Sequence, residues 1–372
     1  MIKVLHISPN TYPKLGQKEH HTKRIWQELA KDVNEYHVFA RSQDNSFSHT
    51  IEGNIHLHLI PKLHLKQRVF ILSSFYMIKI IKQYKINRLL VQSALFGGIA
   101  ATFYSKILNI PIMIEIHGDI YFKFMRGNSI SDRFFSMLIK YSYNNASKIR
   151  SLSSKMTEDL KNEDIISEII TIPNRVDFSL FKSQKKNYKL SNPIKVVSVG
   201  RFVPQKGYDI AIDSIKTLTN KYNIELYLIG GGKLYDSFQK QIEGYRNIHL
   251  IKWIKQSELI ELICNADIYI QPSKPFLGEA MPRTILEAMA LKLPIIASNI
   301  AAIPGILNQG NSLLIEPNSI ENLSEALETL INNEDLRTKI AKNSYEDAYV
   351  KYEWKKVFTK FRSEIINMKY DS

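Results

Sequence analysis

Short apolar segments alternate with longer segments of helical period along the first half of this chain. The apolar segments are residues 3–8, 37–40, 55–60, 89–92 and 112–116. Two of the intervals between them, residues 19–31 and 97–108, have a helical period. Strand-length runs that alternate with helices predict βαβ units around a parallel sheet.

The same pattern starts again after a polar segment, residues 182–193. The second set of strand-length runs covers residues 195–199, 224–229, 248–251, 268–270 and 295–297. A chain of 372 residues is long enough for two domains that each bury a core. We therefore predict an α/β protein with two Rossmann-like, doubly wound parallel sheets, one in residues 1–185 and one in residues 190–345, followed by helix.

The composition is that of a globular protein, with 44% hydrophobic and 23% charged residues. No apolar run approaches the roughly 20 residues of a membrane-spanning helix, and the N-terminus lacks the apolar core of a signal peptide. We therefore expect a cytoplasmic protein that is soluble or peripherally attached to a membrane.

The histidines and the cysteine give no metal-binding pattern in the sequence. Cys264 is alone, so no thiolate cluster can form. His20 and His21 are adjacent and cannot easily share a tetrahedral site. His56 and His58 form an i, i+2 pair with no third ligand nearby in the sequence. We interpret these histidines as solvated or strand-face residues and predict no metal site.

Positive charge is concentrated in the first half of the chain. Residues 1–185 contain 26 basic and 15 acidic side chains, so they carry +11 of the formal charge of +14. No acidic residue lies between Glu52 and Glu115, and the apolar segment 69–81 has basic residues on both sides. Two interpretations remain open. This segment is an amphipathic helix that covers the sheet, or it lies on an anionic bilayer surface, where each nearby basic residue contributes about 1 kcal/mol.

Loops that follow strands are where parallel sheets bind their ligands. In the first half, the loop after the first strand contains Gly16. A glycine there lets the backbone approach a phosphate or a sugar, but it is equally expected in a simple turn. His117 follows the run 112–116, so an imidazole lies at a strand end. We regard His117 as the best candidate in this half for contact with a reacting group, with a structural hydrogen bond as the alternative.

The first strand of the second half runs into a basic turn that contains glycine. The segment 200–202, Gly-Arg-Phe, is followed by Lys206 and Gly207, and a helix is predicted from Tyr208. The two cations converge at a strand end, where a helix N-terminus also presents free amides, and this combination suits a diphosphate. Glycines at 230–232 follow the next strand and leave a second stretch of backbone free of side chains.

Two carboxylates, Glu279 and Glu287, flank a predicted helix start. On one regular helix they would be about 12 Å apart along the axis, beyond the roughly 5 to 9.5 Å of a glycosidase pair. Pro282, however, favours a helix start between them, with residues 283–291 as the helix. The two acids can then touch different parts of one extended ligand, whose diphosphate the helix N-terminus stabilises without a metal ion.

With these motifs the chain resembles the retaining glycosyltransferases of family 4, of the type that builds bacterial surface polysaccharides. Further matching segments are residues 172–177 with Phe181, residues 266–267 before 271–273, and residues 279–287 running into 288–290. The resemblance implies the GT-B fold, in which two Rossmann-like domains face a central cleft. It also implies that a C-terminal helix, here residues 346–372, crosses back to pack on the N-terminal domain.

The resemblance assigns roles to individual residues. It implies that Arg201 and Lys206 bind the donor diphosphate and that Glu287 binds the ribose hydroxyls. It places Glu279 against the donor sugar and His117 beside the transferred sugar. The catalytic candidates are Glu279, His117, Arg201 and Lys206. The remaining donor-binding candidates are Gly16, Gly200, Gly231, Trp253, Ile254, Ala280, Met281, Pro282 and Arg283, of which Trp253 and Ile254 are expected beside the base.

Three positions depart from the usual pattern of the family. Gly16-Gln17 stands where paired glycines are common, and Arg175 stands where a glycine often follows the asparagine. Residues 279–281 are Glu-Ala-Met where Glu-Gly-Phe is usual, which narrows the space near the donor sugar. None of these changes removes a charged group that the chemistry requires.

We therefore expect a retaining, metal-independent hexosyl- or N-acetylhexosaminyltransferase that uses a UDP-, GDP- or ADP-sugar. Its expected acceptor is a glycan, lipid-linked or part of a surface polysaccharide, at the cytoplasmic face of the inner membrane. The alternative is a nucleotide-sugar epimerase, which would convert the donor alone into an isomer. A nucleic-acid partner is not expected, because it would not explain Glu279 and Glu287 beside the cationic loop.

Overall fold

The computed structural model describes residues 1–16, 21–63, 68–118, 120–181, 188–275 and 281–370. The chain divides into two compact units. The first unit comprises Met1–Pro173 together with Val357–Ser372, and the second comprises Asn174–Lys356.

The first unit is built on an eight-stranded sheet, as far as the described residues show, with the strand order β3-β4-β2-β1-β5-β6-β7-β8. Only the pair of β3 and β4 is antiparallel among these neighbours. The strands are β1 (Lys3–Tyr12), β2 (Glu35–Ser42), β3 (Ser48–Glu52), β4 (Ile55–Ile60), β5 (Arg88–Val91), β6 (Ile112–Glu115), β7 (Lys148–Ser151) and β8 (Glu168–Thr171).

Helices connect these strands and cover the sheet. They are α1 (His21–Leu29), α2 (Val69–Leu72), α3 (Ser74–Tyr84), α4 (Gly97–Leu108), α5 (Ile120–Met125), α6 (Ile130–Asn144) and α7 (Ser154–Lys161). The apolar segment 69–81 therefore forms two helices, with Ser73 between them. Their inward residues Phe70, Met77 and Ile80 belong to the core, so this segment does cover the sheet. Each such fully buried side chain contributes about 1.5–3 kcal/mol relative to exposure.

The second unit has a parallel sheet of six described strands in the order β11-β10-β9-β12-β13-β14. The strands are β9 (Ile194–Val199), β10 (Ile224–Ile229), β11 (Ile248–Ile251), β12 (Ile268–Gln271), β13 (Ile295–Ser298) and β14 (Leu313–Ile315). The helices are α8 (Tyr208–Leu218), α9 (Tyr235–Gln241), α10 (Gln256–Cys264), α11 (Arg283–Ala290), α12 (Ile320–Asn332) and α13 (Glu334–Tyr352).

The last helix, α14 (Trp354–Ile366), belongs mostly to the first unit, because the range of that unit resumes at Val357. Arg362 donates to Asp32 at 2.5 Å, and Lys148 donates to Glu364 at 2.6 Å. The guanidinium of Arg150 lies 4.4 Å from the ring centre of Phe361. The expected return of the C-terminal helix to the N-terminal unit is therefore confirmed. Its start differs from the expected residue 346, since residues 346–352 continue α13 and the helix breaks at Glu353.

The units divide the chain at Pro173 rather than at the polar segment that follows residue 185. Hydrogen bonds explain the difference, since they hold the segment after Pro173 to the second unit. The Asn174 side chain donates to the Met281 carbonyl at 2.9 Å, and the Val176 amide donates to the Tyr352 carbonyl at 2.9 Å.

Both sheets are doubly wound, and each has one point where the strand order reverses direction. In the first unit this point lies between β1 and β5, and in the second it lies between β9 and β12. At such a point the loops leaving two neighbouring strands turn to opposite faces and open a crevice at the carboxyl edge. None of the helices in the residues described combines the length and hydropathy that a bilayer-spanning segment needs.

Candidate active site

The turn after β9 is fixed by backbone pairing with the turn after β10. The amide of Gly200 donates to the Ile229 carbonyl, and the amide of Phe202 donates to the Gly231 carbonyl, both at 2.9 Å. Phe202 is fully buried, whereas Arg201 between these paired residues is exposed. Local pairing thus presents the Arg201 guanidinium at the carboxyl edge of the sheet.

Lys206 lies over the same strand end. A Cβ added to Gly200 would be 3.1 Å from Lys206 Cε, so the lysine side chain runs alongside the glycine that precedes Arg201. Lys206 ends a short 3-10 turn, Pro204–Lys206, and α8 begins two residues later. The two cations that the sequence analysis singled out therefore lie on one loop, next to a helix N-terminus.

Gly207 joins this loop to the one that follows β12. Its backbone is left-handed, with φ 63°, and an added Cβ would lie 1.8 Å from the Pro272 carbonyl oxygen. Lys274 makes two further contacts between these two loops. Its backbone amide donates a hydrogen bond to the Gln205 carbonyl at 3.0 Å, and its side chain forms an ion pair with Asp209. The loops on either side of the β9–β12 reversal are thus held against each other.

Glycines 230 and 231 keep the neighbouring edge open. A Cβ on Gly230 would lie 1.9 Å from the Gly200 carbonyl oxygen, so no side chain fits there. A Cβ on Gly231 would be 3.1 Å from the indole of Trp253, which follows β11 and is 57% exposed. The backbone of Gly231, which carries no side chain, therefore lies next to the exposed indole of Trp253. Ile254 is the next residue in the chain.

Helix α11 begins at Arg283, with Pro282 as its N-cap. The predicted helix 283–291 is therefore confirmed, with Leu291 as its C-cap. The φ of Pro282, −64°, would fit a helix, but its ψ of 115° is extended, so helical geometry starts one residue later. Glu279 and Ala280 lie outside the described residues.

Asn174 anchors the entrance to α11. Its side-chain amide donates to the Met281 carbonyl at 2.9 Å, and its backbone amide lies 3.2 Å from Met281 Sδ. Both residues are buried. In the sequence, Asn174 is recognisable only as part of the motif 172–177, which does not reveal this positioning role.

Gln271, at the end of β12, fixes the same region from the other side. Its carboxamide donates to the Ser273 hydroxyl at 2.8 Å and accepts from the Thr284 hydroxyl at 3.4 Å. Because Thr284 lies in the first turn of α11, the buried amide ties that helix start to the sheet.

Glu287 lies in the second turn of α11, as predicted from the position of Pro282. Burial raises the pKa of its carboxyl, and the nearby Arg283 guanidinium partly opposes that rise. A half-buried carboxylate of this kind gains from hydrogen-bond donors that replace the water it has lost.

In the first unit, His117 follows β6 and is held by a buried acid. Its Nε2 lies 3.2 Å from Glu115 Oε2, and its side chain is 39% exposed. Glu115 also pairs with Arg150, and both side chains are almost inaccessible to solvent. Arg150 in turn donates to the carbonyls of Ile172 and Pro173, each at 3.0 Å.

These charges change the pKa values of their neighbours. Burial alone would raise the pKa of Glu115, but His117, Arg150 and His6 together hold it well below its usual range. Burial lowers the pKa of His6 to about 4, although Glu115 opposes this. Glu115 was not among the predicted site residues, although an acid in an otherwise apolar strand is a usable signal.

Gly16 adopts a left-handed conformation, with φ 83°, four residues after β1. An added Cβ would meet no atom within 4 Å, so the backbone conformation, and not crowding, favours glycine here. Its neighbour Gln17 lies outside the described residues.

Two family models match adjoining parts of the chain. Residues 19–180 match the model described as Glycosyltransferase Family 4, and residues 181–347 match Glycosyl transferases group 1. An uncharacterized glycosyltransferase of Methanocaldococcus jannaschii is 28% identical over 360 residues, 93% of each chain. The capsular polysaccharide biosynthesis glycosyltransferase CapM of Staphylococcus aureus is 30% identical over 233 residues, 57% of this chain and 58% of its own.

Solved structures share the fold. Sucrose-phosphate synthase from Thermosynechococcus elongatus superimposes with a TM-score of 0.81 at 16% identity, over 98% of both chains. HepE of Anabaena, solved with UDP and glucose, gives a TM-score of 0.72 at 16% identity, over 98% of this chain and 100% of its own. The two α/β units thus form the GT-B fold.

Replacing Gly207 tests the junction between the two loops. We expect Gly207→Ala to lower the free energy of unfolding by several kcal/mol, because it adds a steric conflict with Pro272 to the roughly 1–2 kcal/mol cost of a left-handed alanine. Gly244→Ala is the matched control, since Gly244 has φ 84° and open space around it. Urea unfolding measures both variants, and equal losses would contradict the proposed contact.

Neutralising Glu115 tests the buried ion pair. We expect Glu115→Gln to cost about 3–5 kcal/mol, because Arg150 stays buried without a counter-charge. Its depressed pKa means that the carboxylate stabilises the fold above about pH 4.3 and that this contribution fades as the pH falls further. Urea unfolding at pH 7 and in more acidic buffers should therefore show a gap between wild type and variant that narrows in acid. A gap that stays constant with pH would contradict this role.

Proposed function

Since the chain belongs to glycosyltransferase family 4, we propose that it transfers a sugar from a nucleoside diphosphate to an acceptor hydroxyl with retention of the anomeric configuration. The observation that carries this proposal is the β9–β12 reversal in the second unit. There Arg201 and Lys206 share one strand end, and the Gly207–Pro272 contact joins their loop to the loop that leads to α11.

The diphosphate of the donor is the leaving group in this proposal. The bond between the anomeric carbon and the diphosphate oxygen breaks, and negative charge accumulates on the phosphates. Arg201, Lys206 and the backbone amides of Met281, Arg283 and Thr284 compensate that charge at a helix N-terminus. Cations and amides supply the stabilisation, so we propose a reaction that needs no metal ion.

The new bond forms between the same carbon and the acceptor oxygen, on the face that the diphosphate leaves. The acceptor proton then passes to the departing phosphate oxygen. Retention rests on the resemblance to the family, as does the position of Glu279 against the donor sugar. Glu287 is suited to the ribose, because a carboxylate accepts hydrogen bonds from two adjacent hydroxyls.

His117 contributes from the first unit by contact with the transferred sugar. Glu115 accepts a hydrogen bond from its Nε2 and thereby favours the ring orientation that leaves Nδ1 available. Glu115 and Arg150 are positioning residues in this proposal, because they act through His117.

A UDP-sugar is the first donor to test. HepE was solved with UDP and glucose, and a Staphylococcus aureus relative in fold, TarM, was solved with UDP. Trp253 offers an exposed ring beside bare glycine backbone, where a uracil base can lie. We propose a hexosyl or N-acetylhexosaminyl donor sugar.

We assign the acceptor to the assembly of a surface polysaccharide, as a glycan that is free or lipid-linked. Similarity to the capsular polysaccharide glycosyltransferase CapM supports this class of acceptor. A lipid-linked acceptor would bring the enzyme to the cytoplasmic face of the inner membrane.

The first unit has an exposed apolar and basic surface that suits such a membrane. We call it the α2–α6 face. It consists of side chains at helical spacing on neighbouring helices. Its large exposed apolar members are Ile71, Leu72, Phe75, Phe103, Ile107, Ile130, Phe134, Met137 and Tyr141.

Basic side chains lie on the same helices and next to them in the sequence. The exposed ones are Arg68, Lys79, Lys82, Lys106, Lys123, Arg126 and Arg133. Lys106 of α4 lies 5.3 Å from the ring centre of Tyr141 on α6, so charge and apolar surface intermingle. Apolar insertion together with basic charge is the combination that binds anionic bilayers. The inward side of α2 and α3 covers the sheet, which leaves their outward side for the proposed membrane contact.

Variants of the cationic loop test the proposed reaction. We expect Arg201→Ala and Glu279→Ala to reduce transfer from a UDP-sugar at least a hundredfold with an unchanged circular dichroism spectrum, because each removes a group that acts on the donor. Lys240→Ala is the matched control, an exposed cation in the last turn of α9. Near-normal turnover in either site variant would refute the assignment. NMR of the product reads the anomeric configuration, and donor incubated alone reveals any epimerase activity.

Liposome flotation tests the α2–α6 face. We expect flotation with phosphatidylglycerol vesicles and none with phosphatidylcholine, since attraction depends on anionic lipid. Phe75→Glu should reduce flotation severalfold, because it places negative charge where a side chain inserts. Val350→Glu on α13 is the matched control, with 63% exposure against 67% for Phe75. Equal flotation of both variants, or none of the wild type with either lipid, would end the membrane proposal.

A further inference from the structure

Four histidines lie side by side on one face of the first unit's sheet. The parallel register sets His37 of β2 opposite His56 of β4, and the antiparallel register sets His49 of β3 opposite His58 of β4. The ring centres of His37 and His56 are 4.3 Å apart, and those of His49 and His58 are 4.2 Å apart. The ring of Tyr84, at the end of α3, packs 4.5 Å from that of His37.

Three of these histidines bring their nitrogens together. One ring nitrogen each from His37, His56 and His58 lies within 4.8 Å of the other two. In a tetrahedral zinc site with bonds of about 2.0–2.1 Å, ligand nitrogens are about 3.3 Å apart, so the three rings would rotate towards a bound ion. His56 and His58 have no third ligand nearby in the sequence, so no metal site was predicted there. The fold supplies that ligand from β2, 19 residues earlier in the chain than His56.

A carboxylate already orients the first of the three rings. Glu35 Oε2 lies 3.0 Å from His37 Nε2, and Glu35 is itself paired with Lys3. An ionised carboxylate only accepts, so Nε2 carries the proton and Nδ1 carries the lone pair. This is the carboxylate–histidine arrangement that supports metal ligands in proteins. His37 Nδ1 therefore accepts a hydrogen bond from His58 Nε2, 3.0 Å away, and a metal ion held by both rings would replace that hydrogen bond.

The third ring has an unsatisfied nitrogen. His56 Nδ1 is buried and has no hydrogen-bond partner among the described residues. A buried polar atom without a partner costs roughly 1–3 kcal/mol, so such an atom in a cluster of histidines needs an explanation. A bound metal ion, or a water held on it, provides one.

We propose that His37, His56 and His58 form a binding site for Zn²⁺, with water as the fourth ligand. Three neutral imidazoles suit zinc and neighbouring transition metals, and not Mg²⁺ or Ca²⁺. His37 and His56 lie near the starts of β2 and β4, and His58 lies two residues further along β4, whereas the loops of a parallel sheet that bind substrate follow its carboxyl ends. The ion therefore clamps β4 to β2 and takes no part in sugar transfer.

Zinc titration of the full chain without an affinity tag tests the site. After EDTA treatment and desalting, calorimetry with ZnCl₂ should give one ion per chain, and Zn²⁺ should raise the melting temperature. Co²⁺ in place of Zn²⁺ should give the visible absorption bands of tetrahedral cobalt. Failure of the wild type to bind zinc stoichiometrically would overturn the proposal.

Matched variants locate the ion. His56→Gln changes the half-buried ligand and should abolish stoichiometric binding with a retained fold, checked by circular dichroism. Glu35→Gln should weaken affinity about 10–100-fold, since it removes only the orienting carboxylate. His49→Gln is the control, because the exposed His49 stacks on the cluster without joining the three ligands. Binding that survives both His56→Gln and His37→Gln would assign the zinc elsewhere and refute the site.

Discussion

The contact between Gly207 and the Pro272 carbonyl is the constraint on which the candidate site depends. In a doubly wound sheet, the loops that follow the two central strands turn to opposite faces, so specific contacts are needed to bring them together. Here a left-handed glycine removes the side chain that would hold the loops apart, and the Lys274–Asp209 pair reinforces the approach. Asn174 and Gln271 then fix the start of α11. The cationic loop and the start of α11 come from distant parts of the sequence, and these few contacts bring them together in the candidate site.

In the first unit, the buried ion pair between Arg150 and Glu115 fixes the position of a candidate site residue. Burying Arg150 and Glu115 is costly, and apolar residues would often stabilise a fold as well. The pair is better understood through what it orients. Arg150 donates hydrogen bonds to the carbonyls of Ile172 and Pro173, and Glu115 contacts the half-exposed His117. The histidine is thereby held at a strand end, where a flexible side chain would lose entropy on meeting a ligand.

The sequence predicted the central strands and the cationic loop well, because both follow local rules. Uninterrupted apolar runs such as β9 identify buried parallel strands, and the glycines beside Arg201 and Lys206 indicate a turn at a strand end. Strands such as β3 and β7 were not predicted. β3 is a mostly exposed edge strand, and β7, Lys-Ile-Arg-Ser, buries an arginine. Contacts that depend on the register between paired strands could not be predicted from the sequence either. The pairing of His37 with His56 follows from the alignment of two strands, and no spacing in the sequence encodes it.

The central claim is that a nucleoside diphosphate binds where the loops after β9 and β12 meet. Hydrogen–deuterium exchange of the protein with and without UDP tests it most directly, because it maps protection along the backbone without assuming a substrate. The account predicts slower exchange concentrated in residues 200–207 and 281–287, and loss of that protection in Arg201→Ala. Protection confined to other segments at saturating UDP, GDP and ADP, or none with any of them, would contradict it.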